Sequence, residues 1–229
     1  MDYGGTGPPI LLLHGLAGRA TEWSTTAQWL AESFRVIALD QRGHGRSDKA
    51  ATDFSRSAYV ADVVAVIKSL GLAPAILIGQ SMGGLNAILT TARHPEVVRG
   101  LIVVEAGLST DAEAPRKIGR WLDSWPLPFP DLESARLFFG GDSLAARTWS
   151  EVLVRARDGY RPEFMRETIV ASVRDSDDAA NYERDWERVS RPALLVVGEY
   201  GKVRDEIARM LALNRNAAAP SRAQHTTCI

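Results

Sequence analysis

Apolar residues along this chain gather in short continuous runs, separated by stretches in which they recur at helical spacing. Residues 9–13, 35–40, 75–78, 100–106 and 193–197 form the runs, near-continuous in that Arg35 and Asp40 bound the second and Glu105 stands near the end of the fourth. Continuous apolar segments of that length read as strands buried on both faces. Between them Trp23, Ala27, Leu30, Ala31 and Phe34 share one helical face, as do Val60, Val63, Val64, Ile67 and Leu70, with Gly71 as the stop. A third helix is predicted over 85–93, closed by His94-Pro95. An amphipathic one is predicted over 205–213. Strands alternating with helices predict an α/β fold: a mostly parallel sheet with helices on both faces. Ligands in such folds bind beyond the carboxyl ends of the strands. His14, Asp40, Ser81 and Glu105 stand at those ends.

The rhythm changes between residues 107 and 191. No strand pattern is visible there, and aromatic residues crowd together, Trp121, Trp125, Phe129, Trp149 and Phe164 among them. Helices are expected over 114–123, 145–157, 162–173 and 178–189, broken by a proline-rich stretch at 125–130 and by Gly140-Gly141. The expected organisation is an α/β core made of 1–106 and 192–229, with 107–191 inserted as a helical cap over the strand ends. Most of its aromatics are expected to form the insertion's own core, and those on its underside to line an apolar pocket.

The densest chemical signal is Gly79-Gln80-Ser81-Met82-Gly83, a G-x-S-x-G with a strand before it and a helix after it. A serine forced onto so sharp a turn is exposed beyond the sheet, and the glycines let neighbouring chain pass close by. The N-H of Met82 then points where an oxyanion would form. A bare G-x-S-x-G is also compatible with a plain glycine turn. The strand and helix around it favour a nucleophile.

Bulk properties narrow the partners. The 229 residues carry a formal net charge of −1, a pI near 6.4 and 45% hydrophobic residues, so one domain can bury a full core and no basic footprint for nucleic acid exists. No apolar stretch is long enough to cross a bilayer, and the first residues lack the basic region of a signal peptide. The single cysteine, Cys228, leaves no intramolecular disulfide. A cytoplasmic location is the expectation. Dispersed histidines show no metal-ligand spacing, so neither metal nor cofactor is expected.

Taken together, His14-Gly15-Leu16 after the first strand, Asp40-Gln41-Arg42-Gly43-His44-Gly45 after the second, the run 79–84 and the insertion before the last core strand resemble the α/β-hydrolase family. The resemblance implies Ser81 as nucleophile, the N-H groups of Leu16 and Met82 as oxyanion hole, and structural roles for His14 and His44. The family's usual aspartate after the strand ending at Gly198 is replaced by Gly201. The other location for the acid is the end of the preceding strand, which points to Glu105, with Glu199 and Asp205 in reserve. The base would be His225. No strand pattern lies between Leu213 and His225, and the first residues look like the end of an edge hairpin, so both sheet edges read as trimmed. The implied activity is hydrolysis of small, rather apolar acyl substrates: a carboxylesterase, a lactonase or a carbon-carbon hydrolase. A fold of this family that binds a ligand or partner without turnover is the alternative. Labelling by a fluorophosphonate separates the two.

Overall fold

The computed structural model describes residues 1–109, 111–174, 181–199, 201 and 203–220. Seven strands form one sheet in the order β1-β3-β2-β4-β5-β8-β9. They are β1 (Asp2–Gly4), β2 (Pro9–Leu13), β3 (Arg35–Leu39), β4 (Ala75–Gln80), β5 (Val98–Val104), β8 (Ala193–Val196) and β9 (Ala217–Ala218). All pairings are parallel except that of β1 with β3.

Alternation along each strand sorts the sheet into two packed faces. Leu11, Leu13, Leu77, Leu101 and Val103 pack with residues of α2 (Arg56–Ser69), α3 (Met82–Arg93), α8 (Tyr182–Arg188) and α9 (Arg204–Leu213). Ile10, Leu12, Val36, Ala38 and Ile78 face the other way, toward α1 (Ser24–Leu30) and the 3-10 turn Ala20–Trp23 before it. Fully buried strands need that double cover, which is why their sequences are apolar without alternation.

Within residues 107–191 lie α4 (Ala114–Asp123), α5 (Leu132–Phe138), α6 (Leu144–Glu151), the antiparallel hairpin β6 (Leu153–Ala156) and β7 (Gly159–Pro162), α7 (Arg166–Ser172) and α8. The first expected helix matches α4. The expected helices over 145–157 and 162–173 are seen as α6 and α7, both shortened by the hairpin, which takes Leu153–Ala156 and Gly159–Pro162 and whose strands meet around the Asp158-Gly159 turn with Gly159 at φ 139°. The expected helix over 178–189 is seen as α8; positions 178–180 lie outside the described residues. Beyond Leu213, where the pattern gave no strand, Ala217–Ala218 pairs with β8. Leu122, Trp125, Phe129, Val152, Leu153 and Ile169 form a third apolar cluster, separate from the two sheet faces. Leu16 and Ala17 of the loop after β2 pack into it.

Candidate active site

The carboxyl ends of β2, β4 and β5 carry three residues in left-handed backbone conformations that non-glycine residues rarely adopt: Ala17 at φ 60°, Ser81 at φ 50° and Glu105 at φ 48°. Such strain persists only where the surroundings over-determine it, and it concentrates at functional sites. Among the described non-glycine residues, positive φ occurs at these three alone.

Ser81 follows β4 and precedes the first residue of α3, with ψ −117°. A serine there would ordinarily accept a hydrogen bond from the helix's first turn. This one makes no such bond, so its half-buried hydroxyl is left for other partners. Its N-H donates to the Val104 carbonyl (2.9 Å) and its own carbonyl accepts from Leu85 N-H (3.0 Å). Backbone bonds on both sides therefore hold the turn. A Cβ on Gly83 would run into the carbonyl oxygens of Leu13 and His14. Only glycine lets α3 start so close to the end of β2.

The 14–18 loop is fixed by two histidines in opposite senses. His14 Nε2 accepts from Gln41 N-H (2.9 Å), so its proton sits on Nδ1 and is donated to the Gly15 carbonyl (2.7 Å). Gly18 N-H donates to the same carbonyl (3.1 Å). Because the peptide is planar, a fixed Gly15 carbonyl aims the Leu16 N-H in the opposite direction. His44 Nε2 accepts from Ala17 N-H (3.2 Å), and its Nδ1-H donates to the Arg42 carbonyl (2.9 Å). Among the described residues neither Leu16 N-H nor Met82 N-H has a hydrogen-bond partner. Asp40 ties the neighbouring loop, accepting from Ala20 N-H (2.7 Å) and Arg46 N-H (3.1 Å).

Glu105 continues the register in which Gln80 of β4 lies beside Val104 of β5, so it stands next to Ser81. Its N-H donates to the Val196 carbonyl (2.9 Å), and its carboxylate accepts from Gly198 N-H. A Cβ on Gly201 would lie 2.6 Å from both carboxylate oxygens of Glu105. The missing side chain at 201 and the carboxylate arriving from β5 therefore use one space. The reserves stand elsewhere: Glu199 and Asp205 are exposed, and the Glu199 carbonyl accepts from Arg204 (2.8 Å). His225 lies outside the described residues. Among the described residues no group of three or more His, Cys, Asp or Glu is gathered as metal ligands, and no helix is long and apolar enough to cross a membrane.

The fold and these strand ends place the chain among known proteins, since a family profile described as the alpha/beta hydrolase fold matches residues 8–203. The chain belongs to the α/β-hydrolase fold family. A 2-(acetamidomethylene)succinate hydrolase of Mesorhizobium japonicum is 27% identical over 206 residues, spanning 87% of this α/β-hydrolase and 73% of that protein. An N-formylmaleamate deformylase of Pseudomonas putida is 29% identical over 220 residues, spanning 93% and 79% respectively. The crystal structure of an E-2-(acetamidomethylene)succinate hydrolase superposes with a TM-score of 0.83 at 25% identity, covering 96% of this chain and 84% of that one. The relatives are hydrolases.

Burial of the two histidines makes this α/β-hydrolase acid-sensitive. Desolvation pushes His14 down to about 4 and His44 down to about 3, from an ordinary 6.5. Glu22, beside the same loop, is pushed up by burial to about 7 from 4.5. Between pH 4.5 and 6.5 the unfolded chain holds two more protons on the histidines and one fewer on Glu22. The net excess of one proton in the unfolded state means stability rises with pH across that window, by on the order of 1 kcal/mol per pH unit. Urea unfolding followed over that range should show this slope, and His44→Gln should flatten it. An equal slope in the variant would show that His44 is not a neutral buried ring.

Proposed function

We propose that this α/β-hydrolase is a serine hydrolase of small acyl substrates, with Ser81 as nucleophile, His225 as base and Glu105 as the acid that orients it. The N-H groups of Leu16 and Met82 are the oxyanion donors, and α4 to α7 with the β6-β7 hairpin act as the cap over the site; α8, within the expected 107–191 cap, packs on the sheet with the core instead. The observation that carries this reading is the strained, uncapped Ser81 at the junction of β4 and α3.

In the mechanism, Ser81 Oγ attacks the acyl carbonyl while His225 takes its proton. The carbonyl oxygen becomes an oxyanion held by the two N-H groups, each worth on the order of 3 kcal/mol. Collapse expels the leaving group, which receives the proton from His225, and leaves an acyl-Ser81 ester. Water, deprotonated by His225, repeats the sequence and frees the acid. Glu105 supports the imidazolium in both halves.

The names of the two relatives concern short acyl groups on nitrogen, an acetamido and a formyl group. Short acyl chains are thus the first substrates to try, with N-acetyl and N-formyl amides tested beside p-nitrophenyl acetate and butyrate. Turnover of the acetate should exceed that of longer chains, a fluorophosphonate should label Ser81, and His225→Ala should cost about ten-thousandfold or more in kcat, as much as losing Ser81. A folded protein with neither labelling nor turnover would sink the proposal and leave a fold that binds without reacting.

A further inference from the structure

Behind the 14–18 loop runs a chain of buried side chains in which every donor and acceptor is dictated by its neighbour. Arg56, at the start of α2, is 7% exposed and forms no salt bridge among the described residues. Its guanidinium lies over the Tyr59 ring, 4.6 Å from the centroid. One amino group donates to the Ser172 carbonyl at the end of α7, and the other donates to Asn86 Oδ1 (2.9 Å) on α3. Asn86 Nδ2 donates to Gln41 Oε1 (2.7 Å), and Gln41 Nε2 donates to the His14 carbonyl (2.7 Å). Gln41 N-H also holds His14 Nε2, whose ring in turn fixes the Gly15 carbonyl. Asn86, His14, Gln41 and Ser172 are all buried, none more than 2% exposed.

The amide orientations are not free. Arginine only donates, so Asn86 must turn its oxygen to Arg56 and its NH2 to Gln41. Gln41 must then present its oxygen to Asn86 and its NH2 to the His14 carbonyl. Reversing either amide puts acceptor against acceptor or donor against donor in a buried place, which is costly.

We propose that Arg56, Asn86 and Gln41 form a positioning relay that ties the seating of α7 to the direction of the Leu16 N-H, and so to the oxyanion hole. The catalytic part of this inference rests on the serine-hydrolase reading above; the structural part does not. None of the three residues touches the reacting atoms. They act through His14 and the Gly15–Leu16 peptide.

The relay can be broken without removing atoms. Asn86→Asp keeps the shape and gives Arg56 a counter-ion, yet can no longer donate to Gln41. Gln41→Glu keeps the acceptor for Asn86 and loses the donor to the His14 carbonyl. For p-nitrophenyl acetate both variants should lose roughly tenfold to a hundredfold in kcat with KM within about threefold. That is short of the cost of deleting an oxyanion donor outright, about a hundredfold to a thousandfold. Asn86→Asp sets an acceptor against Gln41 Oε1 in a buried place, so Tm should fall. A residue that merely stabilises the fold would lower Tm alone, whereas here kcat should fall at nearly constant KM at a temperature where the variants remain folded.

Amide hydrogen exchange over residues 14–18, with α9 as internal reference, should accelerate in both variants. That arm stands without turnover, so a wild type lacking Ser81-dependent activity, together with variants that show the accelerated exchange, would sink the hydrolase reading and keep the relay. Unchanged exchange over 14–18 in both variants would overturn the relay, whatever the rates do. Accelerated exchange with wild-type kcat would overturn its link to the oxyanion hole.

Discussion

Replacing Ser81 by alanine or by glycine should remove turnover equally, by about ten-thousandfold or more, while giving two proteins of different stability. The activity loss follows from deleting the attacking oxygen, since little of the reaction survives without a nucleophile. The stability difference follows from the backbone. At φ 50° and ψ −117° any side chain with a Cβ is strained, at a cost of about 1–3 kcal/mol. Ser81→Ala keeps that strain. Ser81→Gly releases it, and gives back about 0.5–1 kcal/mol through the greater freedom of glycine in the unfolded chain. The glycine variant should therefore be more stable than the alanine variant by about 1 kcal/mol. It should also exceed the wild type, because the serine hydroxyl makes no cap bond whose loss would offset the gain. Urea unfolding of the three proteins measures this. Identical midpoints for the two variants would mean that the turn is not strained, and turnover within about tenfold of the wild type in either would mean that the nucleophile lies elsewhere.

The parts of this fold legible in the sequence are those where one physical demand dominates. Leu11, Leu12 and Leu13 are apolar in succession because both faces of β2 are covered, and that pattern has few other readings. Ser81 was legible because the turn it occupies requires glycine on both sides. The hairpin of β6 and β7 was not, since its four-residue strands are only partly buried and Arg155, Arg157 and Arg161 make the stretch look like a solvated helix face. The Asp158-Gly159 pair was the available signal. β9 could not have been read at all: Ala217 and Ala218 carry no strand preference, and pairing with β8 alone makes them one.

The same logic separates the halves of the site. Strand ends advertise their residues in sequence order, so His14, Ser81 and Glu105 could be found one by one. Gln41 and Asn86 could not, because a polar residue in a loop or on a helix is ordinary until burial marks it. Their partners lie 27 and 45 positions apart in the chain, and only the folded sheet brings them together.

For the acid, the expected result is that Glu105→Gln lowers kcat by about a thousandfold to ten-thousandfold, while Glu199→Gln and Asp205→Asn stay within about twofold. The magnitude is that of an isosteric amide replacing a triad carboxylate, which leaves the histidine in place but favours the wrong tautomer and withdraws the charge that supports the imidazolium. Structure explains why the loss should fall on Glu105. It stands beside Ser81 at the end of the adjacent strand, in a left-handed conformation, with its carboxylate over a glycine that could not carry a side chain of its own. Glu199 and Asp205 are exposed, where a charge is solvated and steers little. Glutamine can still accept the Gly198 N-H, so the fold should survive the change and the kinetic loss can be read without a stability correction. The competing arrangement has a distinct outcome. If Asp205→Asn or Glu199→Gln carried the loss and Glu105→Gln were near wild type, the acid would be supplied from beyond β8, and the strain at Glu105 would be the cost of seating the 198–201 turn alone.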